Sequence, residues 1–190
     1  MMAVTVLERF RQYRSKNLAS LARFLLRCGL TANIMTFLSL LTGITAVYFL
    51  FETYYLFLLF AALHLFADSL DGVLARQSTP TVGGKWFDFI TDGVITLFLL
   101  VKIAWFVNDY SLYLLAGLYL LSQISYAFSQ FQAPILFTRT LTIILCALAI
   151  PPLLAKTLLP LTIISLSSGV AALYSLTRQL QWFMKRNRNN

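Results

Sequence analysis

From Ala32 onward the chain is a succession of apolar runs broken by short polar interruptions. A helix rises about 1.5 Å per residue, so ~20 apolar residues cross a hydrocarbon core of about 30 Å. Run length predicts six such helices, near residues 32–51, 53–76, 84–107, 111–130, 135–155 and 160–183. Connections at Glu52, Asn108–Asp109 and Lys156–Thr157 then fall on one side, and the N-terminus, Arg76–Lys85, Gln130–Arg139 and the C-terminus on the other. Residues 4–28 follow another pattern: Arg9, Arg11, Arg14, Lys16, Arg23 and Arg27 interrupt them, while Leu7, Phe10, Leu18, Leu21, Leu25 and Cys28 fall near one helical stripe. That pattern predicts an amphipathic helix lying on an anionic leaflet. It is no signal peptide, because its charges are too many and its apolar core comes too late. The expected fold class is all-α integral membrane, with six transmembrane helices and an N-terminal amphipathic interfacial helix. Residues 1–30 form the juxtamembrane helix and 31–190 the membrane domain, with no internal repeat, low-complexity segment or long linker.

Composition agrees, since 59% hydrophobic and 12% charged residues exclude an ordinary soluble domain. The net charge of +8 is concentrated at the ends: six Lys or Arg against Glu8 in residues 1–30, and Arg178, Lys185, Arg186 and Arg188 near the C-terminus. Basic residues favour the cytoplasmic face, which places both termini and the 76–85 loop there in a multi-pass protein of the inner (cytoplasmic) membrane. No module of interleaved basic and aromatic residues accompanies these ends, so nucleic acid is not an expected partner. Cys28 and Cys146 stand far apart in apolar surroundings and read as reduced packing residues.

Chemistry concentrates between residues 68 and 92, which hold four of the seven acidic residues. Asp68 and Asp71 are three apart, and Asp88 and Asp92 four apart, so each pair shares a helical face. Two helices meeting there would bring four carboxylates together at the cytoplasmic ends of the second and third spans. A carboxylate deep in a bilayer costs about 2.5–3.5 kcal/mol, and four on the order of 10 kcal/mol. Arg76 and Lys85 are the two bases nearby in sequence. A hard divalent cation held by oxygen, Mg2+ or Mn2+, would complete the balance. Solvated loop acids are the plainer reading, but Leu70, Val73, Leu74, Phe87, Phe89 and Ile90 interleave with these acids in helical order.

Three polar residues in apolar runs have both plain and functional readings. His64, four before Asp68, would support that carboxylate or, more ordinarily, bond a neighbouring helix. Lys102 reads as a snorkelling residue near the outer end of its helix. Arg139, at the depth of the aspartates, is an interfacial anchor or an anion ligand.

Asp68-x-x-Asp71-Gly72-x-x-Ala75-Arg76, followed by Gly84-x-x-x-Asp88-x-x-x-Asp92, resembles the signature of the CDP-alcohol phosphotransferase (CDP-alcohol phosphatidyltransferase) family. Thr31-Ala32-Asn33-x-x-Thr36, followed by Gly43, is similar to the start of that family's first helix, with alanine where many members have proline. Seven residues separate Arg76 from Gly84, one fewer than is usual, which shortens the loop around Pro80. The resemblance implies six transmembrane helices, an amphipathic N-terminal helix, a cytoplasm-facing active site and, often, a homodimer.

The same resemblance implies a membrane enzyme of phospholipid biosynthesis. A CDP-alcohol, usually CDP-diacylglycerol, would lie with its pyrophosphate against two ions of Mg2+ or Mn2+ and its tails between helices. Asp68, Asp71 and Asp88 would hold metal, Asp92 would adjoin the second ion and act as base, and CMP would leave. Gly72, Ala75, Arg76 and Gly84, with Asn33 and Thr36, would bind donor and nucleotide. The acceptor is read as a phosphorylated polyol such as glycerol 3-phosphate, bound by Arg139 with Lys85 or Arg178. Two rival readings are a prenyltransferase-like enzyme and a cation transporter. The first expects two distant acidic motifs in a longer chain, and the second expects repeated halves and broken helices.

Overall fold

The computed structural model describes residues 17–78, 81–136, 138–149 and 158–188, and all regular structure among them is helical. The helices start and stop where the sequence supplies caps. α1, residues 17–27, closes on Gly29, whose φ of 80° suits a residue without a Cβ. There the N–H groups of Gly29 and Leu30 wrap back onto the carbonyls of Leu26 and Leu25, each at 3.0 Å. Thr31 then opens α2, Ala32–Phe49, its hydroxyl accepting from Ile34 N–H at 3.4 Å. α3 is Tyr54–Gln77, and α4, Val82–Val107, begins with the Thr81 hydroxyl accepting from Gly84 N–H at 3.0 Å.

α4 ends on Asn108 in the left-handed region, φ 59°, with the same wrapped bonds, Asn108 N–H to Trp105 and Asp109 N–H to Ala104. Asp109 at once caps α5, Tyr110–Phe128, accepting from the Ser111 hydroxyl at 2.7 Å and its N–H at 2.8 Å. Those bonds from Ser111 hold the exposed Asp109 carboxyl below the usual range. α6 is Arg139–Ala149 and α7 is Leu159–Arg188.

Among the described residues five helices, α2, α3, α4, α5 and α7, are long and apolar enough to cross a membrane. Their exteriors carry large exposed apolar residues, among them Phe37, Leu41, Trp105, Leu114 and Val170, the surface expected of a chain solvated by lipid. Of the run expected over 135–155, the described residues form the 11-residue α6, and 150–157 lie outside the described residues. The expected amphipathic helix over 4–28 is described from residue 17 only.

Contacts divide the chain into two units. The first comprises Met1–Ala46 and Leu59–Thr91. Here the apolar stripe of α1, Leu18, Leu21 and Leu25 with buried Ala22, packs against Met35 of α2 and Ala67, Leu70, Val73 and Leu74 of α3. Arg23 and Arg27 stay exposed. The stripe thus serves as packing for the helix end that carries Asp68 and Asp71. Cys28, expected to pack, is instead exposed, because it lies at the turn where α1 stops.

The second unit comprises Val47–Leu58 and Asp92–Asn190. Its packing is built on α7, where Ser165, Ser168, Ala172, Ser175 and Gln179 recur on one buried face. Ser168 meets the Thr142 hydroxyl at 3.2 Å, Ser175 accepts from Leu136 N–H at 3.0 Å, and Gln179 donates to the Ser122 carbonyl at 3.3 Å. A Cβ added to Gly169 would lie 2.6 Å from Leu115 of α5, so the two helices approach closely there. The small residues Ser168, Gly169 and Ser175 of α7 thus find their neighbours within the chain. Lys102 reaches the carbonyl of Tyr48 and lies over the Tyr48 and Phe51 rings, in keeping with a snorkelling lysine.

Candidate active site

Asp68 and Asp71 lie near the C-terminal end of α3, and Asp88 and Asp92 in the first turns of α4. Asp68, Asp88 and Asp92 each offer a carboxylate oxygen within 4.8 Å of the others. Asp92 follows Asp88 by one turn of the same unbroken helix, which fixes that pair whatever else moves. Bonds of about 2.1 Å to a hard cation put opposing ligand oxygens ~4.2 Å apart. Three oxygens sharing one such ion stand about 3–3.6 Å apart when evenly placed, so the three carboxylates would draw in by up to about 1–2 Å around it. An all-oxygen, all-anionic donor set suits Mg2+, Mn2+ or Ca2+ over softer metals.

Asp71 is held differently. It is buried, 5% exposed, and the Thr36 hydroxyl stands 2.9 Å from its Oδ2 and 3.1 Å from the Ala32 carbonyl. Its charge lies within electrostatic reach of Asp68 and Asp88. Thr36, nominated by the sequence for the nucleotide, thus has a partner among the aspartates.

The remaining donor-side candidates sit around these helix ends. Gly72 and Ala75 are half-buried on α3 and Arg76 is exposed in its last turn. A Cβ on Gly84 would lie 2.9 Å from Asn33 Oδ1 and 3.0 Å from Thr81 Oγ1, so the Asn33 side chain at the start of α2 comes close to α4 there, and a side chain at 84 would displace it. At Gly83, by contrast, a Cβ would meet nothing within 4 Å. Lys85 is exposed in the first turns of α4. Arg178 bonds Gln181 one turn on, at 3.4 Å.

In the second unit Arg139, the first residue of α6 and buried, forms an ion pair with Asp92. Tyr119 of α5 shares a hydrogen bond with Thr96 and lies within electrostatic reach of both charges. Sequence reasoning missed Tyr119, Thr96 and the pairing of Arg139. The one available signal was polar groups recurring inside apolar runs, which names candidates but not partners. His64, fully buried, meets Ser39 of α2 through Nδ1 at 2.9 Å, the helix-to-helix role that was its plainer reading.

The geometry and the motif converge with a comparison of the whole sequence. The family model for CDP-alcohol phosphatidyltransferase matches residues 29–177. The chain belongs to that family. No curated protein matches it closely enough to name a relative. As a CDP-alcohol phosphatidyltransferase family member it is a membrane protein of the phosphatidyl-transfer class, and the matched segment contains all four aspartates, Asn33, Thr36, Gly84 and Arg139.

Proposed function

We propose that this protein transfers the phosphatidyl group of a CDP-alcohol, CDP-diacylglycerol first among them, to the hydroxyl of a phosphorylated polyol such as glycerol 3-phosphate. The convergence of Asp68, Asp88 and Asp92 within 4.8 Å, in a chain of this family, carries the reading. These residues, with Asp71, would hold Mg2+ or Mn2+, which when bound supplies neutralisation of the pyrophosphate and of the departing CMP. Asp92 accepts the proton of the incoming hydroxyl, whose oxygen attacks the β-phosphorus as the bond to CMP breaks. Arg76 with its fixed donor fork serves the donor's phosphates. The close approach at Gly84 and Asn33 shapes the nucleotide's wall, and Gly72 and Ala75 leave room for it. Arg139 and Lys85 serve the acceptor's phosphate, and the active site and termini face the cytoplasm. Homodimer formation belongs to the same proposal and would use a surface other than the α7 face occupied by Leu115.

The test is CMP release by purified protein in detergent, with CDP-diacylglycerol, Mg2+ or Mn2+ and single acceptors in turn. Release that requires metal and one phosphorylated acceptor, and that vanishes in Asp92→Asn, supports the proposal and names the product. Release with free alcohols alone would reject the acceptor class. No release with any acceptor would reject the donor.

A further inference from the structure

The end of α7 is longer than a membrane requires, yet it keeps an apolar face. At 30 residues the helix measures about 45 Å, against a hydrocarbon core of about 30 Å. The surplus lies at the C-terminal end, where Gln181, Lys185, Arg186 and Asn187 replace the apolar run. Even so, the stripe of exposed Leu166, Val170 and Leu173 continues there at helical spacing through exposed Leu180 and Met184. Such a face is stabilised when it lies in the boundary between headgroups and acyl chains, and gains nothing from water. The last turns of α7 are therefore held at the bilayer surface.

Lys185 and Arg186 are exposed in those turns. The Arg186 guanidinium lies over the Trp182 ring, 5.2 Å from its centroid, and Trp182 is half-buried beside Phe183, an aromatic suited to headgroup depth. Stacking engages the face of the guanidinium and leaves its N–H edge for an anion. The acids of this unit are engaged elsewhere. No Asp or Glu follows Asp109, and Asp109 itself caps α5. Asp92 pairs with Arg139, and Glu52 lies within electrostatic reach of Lys102. Among the described residues neither Lys185 nor Arg186 forms an ion pair. Arg178, read with the acceptor, bonds Gln181 and has no part in this surface.

We propose that the last turns of α7 are a docking surface for anionic phospholipid, whose phosphate meets Lys185 and the edge of Arg186 while its chains lie along Leu180 and Met184. The inference is independent of the transfer reaction. Lipid is the occupant because bases and apolar stripe share the same turns: a soluble anion would use the charge and leave Leu180 and Met184 uncovered. A zwitterionic headgroup brings its own cation, which two uncompensated bases repel, so the surface discriminates by net charge. A base close to an anionic lipid surface is worth about fivefold in association, and the preference weakens as salt screens it.

The experiment reconstitutes the protein in phosphatidylcholine vesicles holding a minor fraction of phosphatidylglycerol. One lipid or the other is brominated in its acyl chains, at equal mole fraction, so that it quenches the tryptophans it touches. The chain has three tryptophans, and Trp86→Phe with Trp105→Phe leaves Trp182 alone. At Trp182, phosphatidylglycerol is expected to be enriched about fivefold over phosphatidylcholine. Lys185→Gln with Arg186→Gln should bring the two lipids to parity, whereas the swap Lys185→Arg with Arg186→Lys should keep the preference. Equal quenching of Trp182 by the two lipids overturns the inference, as does a preference that survives loss of both charges. Should the Trp182 protein fail to fold, the wild type decides, by whether its quenching difference falls when Lys185 and Arg186 are replaced by Gln. A preference that inorganic phosphate abolishes, at an ionic strength at which chloride leaves it intact, would mark a site for soluble phosphate and overturn the lipid as occupant.

Discussion

A carboxylate as buried as Asp71 needs a donor, and Thr36 supplies one at 2.9 Å. A hydrogen bond to a charged group is worth about 1.5–3 kcal/mol, and leaving such a group unsatisfied costs at least as much. Thr36→Val keeps the shape and removes the donor, so it should lower the thermal midpoint in detergent, whereas Thr36→Ser should largely retain it. The same Thr36→Val change made in an Asp71→Asn background should cost much less, because the partner's charge is already gone. Equal costs in both backgrounds would show that Thr36 acts through packing alone. At this scale the sequence was legible for the acids and illegible for their partners. Spacings of three and four residues put Asp68 with Asp71 and Asp88 with Asp92 on common faces, and the cost of intramembrane charge made them the candidates, three of which the structure brings together. Thr36 lies 35 residues from Asp71, and Arg139 lies 47 from Asp92; no local period links such pairs. Arg139 accordingly read as an anchor or an anion ligand, while its pairing with a carboxylate had no sequence signal.

Helix positions followed closely from run length, since a span must satisfy all its backbone groups internally. The expected 53–76 and 111–130 appear as Tyr54–Gln77 and Tyr110–Phe128. Departures came from capping chemistry, as where Thr81 starts α4 at Val82, before the apolar run begins. Packing between helices was less legible, because a run of small residues says that something approaches and not what. In α7 the answer is Leu115, whose Cδ2, Cγ and Cβ stand 2.6, 3.2 and 3.3 Å from the position of a Cβ on Gly169. More than the tip of that side chain must yield, so Gly169→Ala should destabilise by about 1–3 kcal/mol, the usual cost of overpacking. Leu115→Ala opens the space, and the double variant should be more stable than the sum of the two single losses implies. Melting midpoints of the four proteins in one detergent decide this; additive losses would mean that α5 and α7 separate readily at Gly169.

The whole molecule has an orientation, and charge argues for one. Residues 1–30 carry six basic residues against one acid, and four more basic residues lie beyond 177, whereas the α2–α3 connection carries Glu52 and the α4–α5 connection Asp109. Basic segments resist translocation, and this charge bias is what supports the proposed cytoplasmic placement of both ends and of the aspartates at the 76–85 side of α3 and α4. The chain carries its own reporter, because Cys28 is exposed at the end of α1 while Cys146 is fully buried in α6. A membrane-impermeant maleimide should label Cys28 in inside-out vesicles and not in intact cells. Thr53, exposed between α2 and α3, tests the opposite face: Thr53→Cys in a Cys28→Ser background should label from outside. The reversed pattern would put the carboxylates away from the nucleotide pool, and the CMP released in the proposed reaction could not then be returned directly to the cytoplasm. Because the two sites lie on either end of α2, agreement between them fixes the direction of that helix and hence of each neighbour joined to it by a short turn.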